Sequence, residues 1–138
     1  MPDITRRRKI LIIDDEVNVA ETLGLIFSTS GYEVYVVASA EAAIELIPEW
    51  RPDVAIVDVM LPRMNGIDLA IVLKSNYPGC RIVLFSGQPD STALLEEAWK
   101  KGHHFEILAK PLHPGFILDT VSNLLATTAS SREQYADA

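Results

Sequence analysis

The sequence predicts an α/β protein built on one doubly wound, five-stranded parallel sheet. Three observations carry that reading. Short apolar runs, among them Lys9–Ile13, Val54–Val57, Ile82–Phe85 and Ile107–Ala109, alternate with amphipathic stretches of helical period, the pattern of a βα series. These runs are apolar at successive positions instead of alternating, as strands covered by helices on both faces are. Each also ends in a group able to handle metal or phosphate: Asp14 and Asp15, Asp58, Ser86, and Lys110.

The first strand is placed at Lys9 to Asp14. The helix after it, Val17 to Ser30, carries Val19, Leu23, Ile26 and Phe27 at helical spacing and stops at Gly31, the residue type best suited to the position past a helix end. Tyr32 to Val37 alternates weakly and suits a strand at a sheet edge. Ser39 caps a second helix that runs to Trp50, with Ala43, Ile44, Leu46 and Ile47 inward and Pro52 just beyond. Val54 to Asp58, apolar until its last residue, fits a central strand. Pro62 and Asn65–Gly66 mark a loop before a helix from Ile67 to Tyr77, which Pro78–Gly79 closes. The fourth strand spans Arg81 to Ser86. A helix from Thr92 to Lys101 follows, with two lysines in its last turn, where the helix dipole favours cations. The fifth strand covers Phe105 to Ala109. The last helix, from Pro114 to Ala126, starts with a residue whose missing N–H costs little there.

The chain has 138 residues, enough for one domain, and 49% of them are hydrophobic and 22% charged, as in an ordinary globular protein. Residues 1–7 read as an N-terminal flank, 8–126 as the domain and 127–138 as a disordered tail. Arg6-Arg7-Arg8-Lys9 has the charge of an export signal, but only four apolar residues follow it, so a cytoplasmic location is expected. Cys80 is the single cysteine and allows no internal disulfide. A net charge of -7 argues against direct nucleic-acid binding, and no apolar run is long enough to cross a membrane.

Ligands of open parallel sheets bind beyond the carboxyl ends of the strands, where strand order reverses. An order of 2-1-3-4-5 puts that reversal between strands one and three and brings Asp14 and Asp15 beside Asp58. Three carboxylates repel one another, a conflict that a divalent cation resolves. Mg²⁺ fits because it takes oxygen ligands and commonly binds carboxylates together with a phosphate oxygen. With the cation and Lys110 included, the formal charges cancel. Asp58 is then the candidate nucleophile toward phosphorus, Ser86 a hydroxyl donor to a phosphoryl oxygen, and Gly87 a point of close backbone approach.

Asp14–Asp15, Asp58 with Met60-Leu61-Pro62-Arg63-Met64-Asn65-Gly66, Ser86–Gly87 and Lys110–Pro111 together resemble the receiver domain of bacterial two-component response regulators, over residues 8 to 126. The resemblance implies a flavodoxin-like (βα)5 fold and Asp58 as phosphoacceptor for a histidine kinase or histidine phosphotransfer protein. It implies Mg²⁺ held directly by Asp15 and Asp58, with Asp14 acting through water and the Met60 carbonyl as a further ligand. It also implies phosphoryl contact by Lys110, a cis Lys110–Pro111 bond, and output through the face of helix 4, strand 5 and helix 5.

One position departs from the pattern. The residue three before the lysine, usually Tyr or Phe in the family, is Ile107; Phe105 either substitutes for it or packs in the core. Trp99, on the fourth helix, is either an exposed partner anchor or a buried one. His103, His104 and His113 are poor joint metal ligands, since neighbours in a strand point to opposite faces. The expected function is a stand-alone receiver, not an enzyme beyond its own phosphorylation and slow dephosphorylation, that signals by altered protein binding or by phosphorelay. A homodimer is left open. The alternative is a phosphorylation-independent interaction module on the same fold. A phosphatase of haloacid dehalogenase type is disfavoured because Met60 stands where those enzymes carry a second aspartate.

Overall fold

The computed structural model describes residues 7–87, 91–109 and 113–126. Most of the flank, the tail and Lys110–Pro111 lie outside the described residues. The chain alternates β1 (Lys9–Ile13), α1 (Val17–Thr29), β2 (Glu33–Val37), α2 (Ala40–Trp50), β3 (Val54–Asp58), α3 (Gly66–Asn76), β4 (Arg81–Ser86), α4 (Ser91–Lys100), β5 (Glu106–Ala109) and α5 (Pro114–Ala126). The strands form one parallel sheet in the order β2-β1-β3-β4-β5. This is the flavodoxin-like arrangement that the family resemblance implies.

The sheet divides two apolar layers. Alternate residues of the inner strands, such as Leu11, Ile13, Ala55, Val57 and Leu84, pack with Ala43, Ile47, Leu69 and Leu73 of α2 and α3. The intervening residues Ile10, Ile12, Ile56, Val83 and Phe85 pack with Leu23 and Phe27 of α1 and Ile117 and Val121 of α5. Every residue of β3 is buried, which is why that run shows no polar alternation until Asp58. At one margin, Gly24 brings α1 close to β2: a Cβ there would meet Val36 Cγ2 at 3.4 Å.

Caps follow local chemistry. The Ser39 hydroxyl accepts the Ala42 N–H at 3.1 Å to start α2, and Asn65 Oδ1 accepts the Asp68 N–H at 2.9 Å to start α3. Pro48 lies inside α2, where it removes one donor from the last turns, so the helix runs on past it to Trp50. β5 begins at Glu106, leaving Phe105 just before it, half-buried against the α2–α3 layer with Lys74 Nζ 5.5 Å from its ring centre.

At the opposite end of the sheet from the acids, Asp53 Oδ2 accepts the Lys9 N–H at 2.8 Å and its other oxygen lies 3.8 Å from Arg8. Burial pushes the nearby Cys80 thiol up to about 12, and the Asp53 charge adds to the effect. At pH 8 only about one thiol in 10⁴ is then ionised, so iodoacetamide is expected to label Cys80 of the folded protein negligibly and of the urea-unfolded protein fully within the same time. Comparable rates in both states would contradict the burial.

Candidate functional site

Register sets the site. Ile13 pairs with Val57 and Asp58 with Phe85, so the ends of β1, β3 and β4 reach the same level. Ser86, half-buried, pairs with Ala109 one step further along. Asp14 and Asp58 are only 1% and 3% exposed, the two buried charged side chains among the described residues. Burial of charge on that scale requires compensation by hydrogen bonds or a cation.

Local backbone supplies part of it. Asp14 Oδ1 accepts the Glu16 N–H at 2.9 Å, and the Asp14 N–H donates to the Val37 carbonyl at 3.1 Å. Glu16, extended at φ -83° and ψ 101°, is the N-cap of α1 and offers no capping side chain of its own. Asp58 Oδ1 accepts the Met60 N–H at 3.1 Å. Beyond it the chain alternates, with Val59 and Leu61 buried and Met60 44% exposed. The loop turns through Arg63 at φ 63° and closes where the Gly66 N–H donates to the Val59 carbonyl at 2.9 Å.

Gly66 is the tightest point of the site. A Cβ there would overlap the Asp58 carbonyl oxygen and stand 2.9 Å from Val59 Cα, contacts with backbone that cannot swing aside. Only glycine lets α3 begin against the residue that bears the acid.

One carboxylate oxygen each from Asp14, Glu16 and Asp58 lies within 4.8 Å of the other two. Opposite ligands of an octahedral Mg²⁺ are about 4 Å apart, and its preferred donors are hard oxygens, so this trio suits that ion. Glu16 was not singled out from the sequence. The chain bends at Asp15, just past β1, and the Glu16 N–H folds back onto the Asp14 carboxylate, which brings the Glu16 side chain toward the same site. Asp15 is exposed and outside the convergent trio, and its assignment as a direct ligand rests on the resemblance alone. Gly87 is exposed beside Ser86, and Lys110 lies outside the described residues.

Around β5, Ile107 is 43% exposed and Trp99 61%. Trp99 stacks on His104 with ring centres 3.5 Å apart, while His103 lies nearly parallel to Phe105 at 6.4 Å. Trp99 is thus the exposed alternative of the two weighed for it. Neither His103, His104 nor His113 joins a metal-competent cluster among the described residues.

An open parallel sheet with an acidic pocket at its switch point is the arrangement of receiver domains, which are signalling modules rather than classical enzymes. The chain belongs to the response regulator receiver domain family, whose model matches residues 10–122. It is 29% identical over 118 residues to the chemotaxis protein CheY of Thermotoga maritima, covering 85% of this chain and 97% of that protein. It is 36% identical over 87 residues to the DNA-binding response regulator MtrA of Mycobacterium tuberculosis, covering 63% of this chain but only 38% of MtrA. Among solved structures, the receiver domain of an HD domain-containing protein from Pseudomonas fluorescens superposes with a TM-score of 0.80 at 27% identity, covering 87% of this chain and 95% of that one. A response regulator receiver domain protein from Clostridium thermocellum gives 0.75 at 26% identity, covering 84% and 92%. No helix among the described residues is long and apolar enough to cross a membrane.

Proposed function

We propose that this receiver accepts a phosphoryl group on Asp58 from a histidine kinase or histidine phosphotransfer protein in the cytoplasm and signals by altered protein binding or by passing the group on. The observation that carries the reading is the buried Asp58 at the end of the central strand, oriented by the Met60 amide, with Asp14 and Glu16 oxygens within 4.8 Å. A scaffold would have no use for that concentration of buried charge.

An oxygen of Asp58 attacks phosphorus while the P–N bond to the donor imidazole breaks, the electron pair leaving with the nitrogen. Asp14, Glu16 and Asp58 would hold Mg²⁺, with Asp15 and the Met60 carbonyl as the further ligands that the resemblance implies. Bound there, the ion offsets the negative charge of the transferred group. Ser86 donates its hydroxyl to a phosphoryl oxygen, Gly87 leaves room for it, and Lys110 contributes the remaining positive charge. Ile107, half-exposed where the family usually carries an aromatic, removes the usual inward-swinging ring, so output would pass through other groups on the α4, β5 and α5 face. The same residue is what favours the second reading, constitutive binding without phosphorylation.

Intact mass after incubation with phosphoramidate separates the two. We expect the wild type to gain one phosphoryl group with Mg²⁺ present and none with a chelator. No gain in either condition, beside a control receiver that labels, would reject phosphorylation and leave the constitutive module.

A further inference from the structure

The edge strand β2 is the surface that the established family reading leaves unused. Its backbone bonds to β1 at every second residue: the Glu33 N–H donates to the Arg8 carbonyl and the Val37 carbonyl accepts from Asp14. By that alternation Glu33, Tyr35 and Val37 direct their main-chain groups toward β1, and Val34 and Val36 direct theirs away from the sheet. No other strand flanks β2 among the described residues. Protein edges of this kind are usually guarded by lysine, proline or a bulge. β2 reads Glu-Val-Tyr-Val-Val, with its one charge at the first position, and leaves Tyr35 46% and Val36 37% exposed. The opposite edge, β5, is one residue shorter and also starts with an acid.

The geometry points to antiparallel pairing of β2 with β2 of a second copy of this chain, about a two-fold axis through Tyr35. Val34-Tyr35-Val36 is palindromic, so a two-fold mate presents the same side chains at matched positions, as an isologous contact requires. In this register Val34 faces Val36 of the mate as a hydrogen-bonded pair on each side of the axis, and all four outward main-chain groups find partners. The two Tyr35 rings meet as a close non-hydrogen-bonded pair on the α2 side, where Trp50 already braces each at 5.6 Å edge to face. The register also separates charge: Glu33 lies opposite Val37, and the two Glu33 carboxylates are roughly 13 Å apart along the strands. Parallel pairing in register would set them side by side. The product is a continuous ten-stranded sheet whose two acidic pockets lie at opposite ends, both accessible.

Sedimentation velocity between about 10 and 500 μM tests the proposal, with Tyr35→Lys, which sets two ammonium groups across the axis, and Val36→Pro, which deletes an outward N–H without touching the β1 ladder. The wild type is expected to shift from monomer to dimer and both variants to stay monomeric with wild-type circular dichroism. In a Cys80→Ser background, Tyr35→Cys should form an intermolecular disulfide on mild oxidation, because Cα atoms of such pairs are about 4.5 Å apart, and Glu33→Cys should not. A wild type monomeric throughout, dimers that persist in the lysine variant, or equal cross-linking at positions 33 and 35 would each overturn the pairing. Should the proline variant unfold, the lysine variant and the cross-links decide alone.

Discussion

Asp58→Asn is expected to abolish phosphoryl gain from phosphoramidate, a loss of at least about 100-fold, or about 2.7 kcal/mol in barrier. The amide keeps an oxygen that can accept the Met60 N–H, so the loop beyond β3 should stay in place. It lacks the anionic nucleophile and removes one negative charge from the trio with Asp14 and Glu16. The folded state should therefore be no less stable than the wild type in urea, since relief of carboxylate repulsion offsets any weakened hydrogen bond. Intact mass and a denaturation midpoint measured on the same sample check both halves. An Asn variant that labels as well as the wild type would move the acceptor elsewhere.

Gly66→Ala should damage both stability and phosphorylation. The added methyl has nowhere to go but into the Asp58 carbonyl and Val59 Cα, so either α3 retreats or the end of β3 bends. Overpacking of this kind costs about 1–3 kcal/mol. The displaced atoms belong to Asp58, the proposed acceptor, and to its neighbour Val59, so the rate of phosphoryl gain should fall by about 10-fold or more even at denaturant-free conditions where the variant is folded. A Gly66→Ala protein with an unchanged urea midpoint would show that the α3 start is slack, contrary to the contact described.

The strands were legible because β3 and its neighbours are buried on both faces: Val54 to Val57 had to be apolar at every position, and Asp58 stood out for that reason. The strand order came from the family resemblance, since burial on both faces does not fix which inner strand lies beside which, while the placement of β2 at an edge followed from its weaker alternation. The meeting of Asp14 with Asp58 was legible, each standing one step beyond an apolar run. Glu16 escaped notice because adjacent acids invite pairing in the sequence, whereas the bend at Asp15 is what folds Glu16 back beside Asp14. Gly66 was visible as a turn residue, but its packing against Asp58 depends on where α3 lands, which no local pattern encodes. The same holds for Phe105, whose partners Lys74 and the α2–α3 layer are distant in sequence, and for Pro48, which a helix near its end accommodates.

The two tryptophans divide the molecule optically. Trp50 is half-buried at the end of α2, touching Tyr35 and lying 5.5 Å from Lys9 Nζ, whereas Trp99 stands exposed on α4 against His104. In a Trp50→Phe protein all indole emission comes from the α4–β5 face, and a rearrangement of the Trp99–His104 stack would change its intensity without any attached dye. The protein thus carries its own fluorophore on the α4–β5 face, and an unlabelled titration can follow that face in real time.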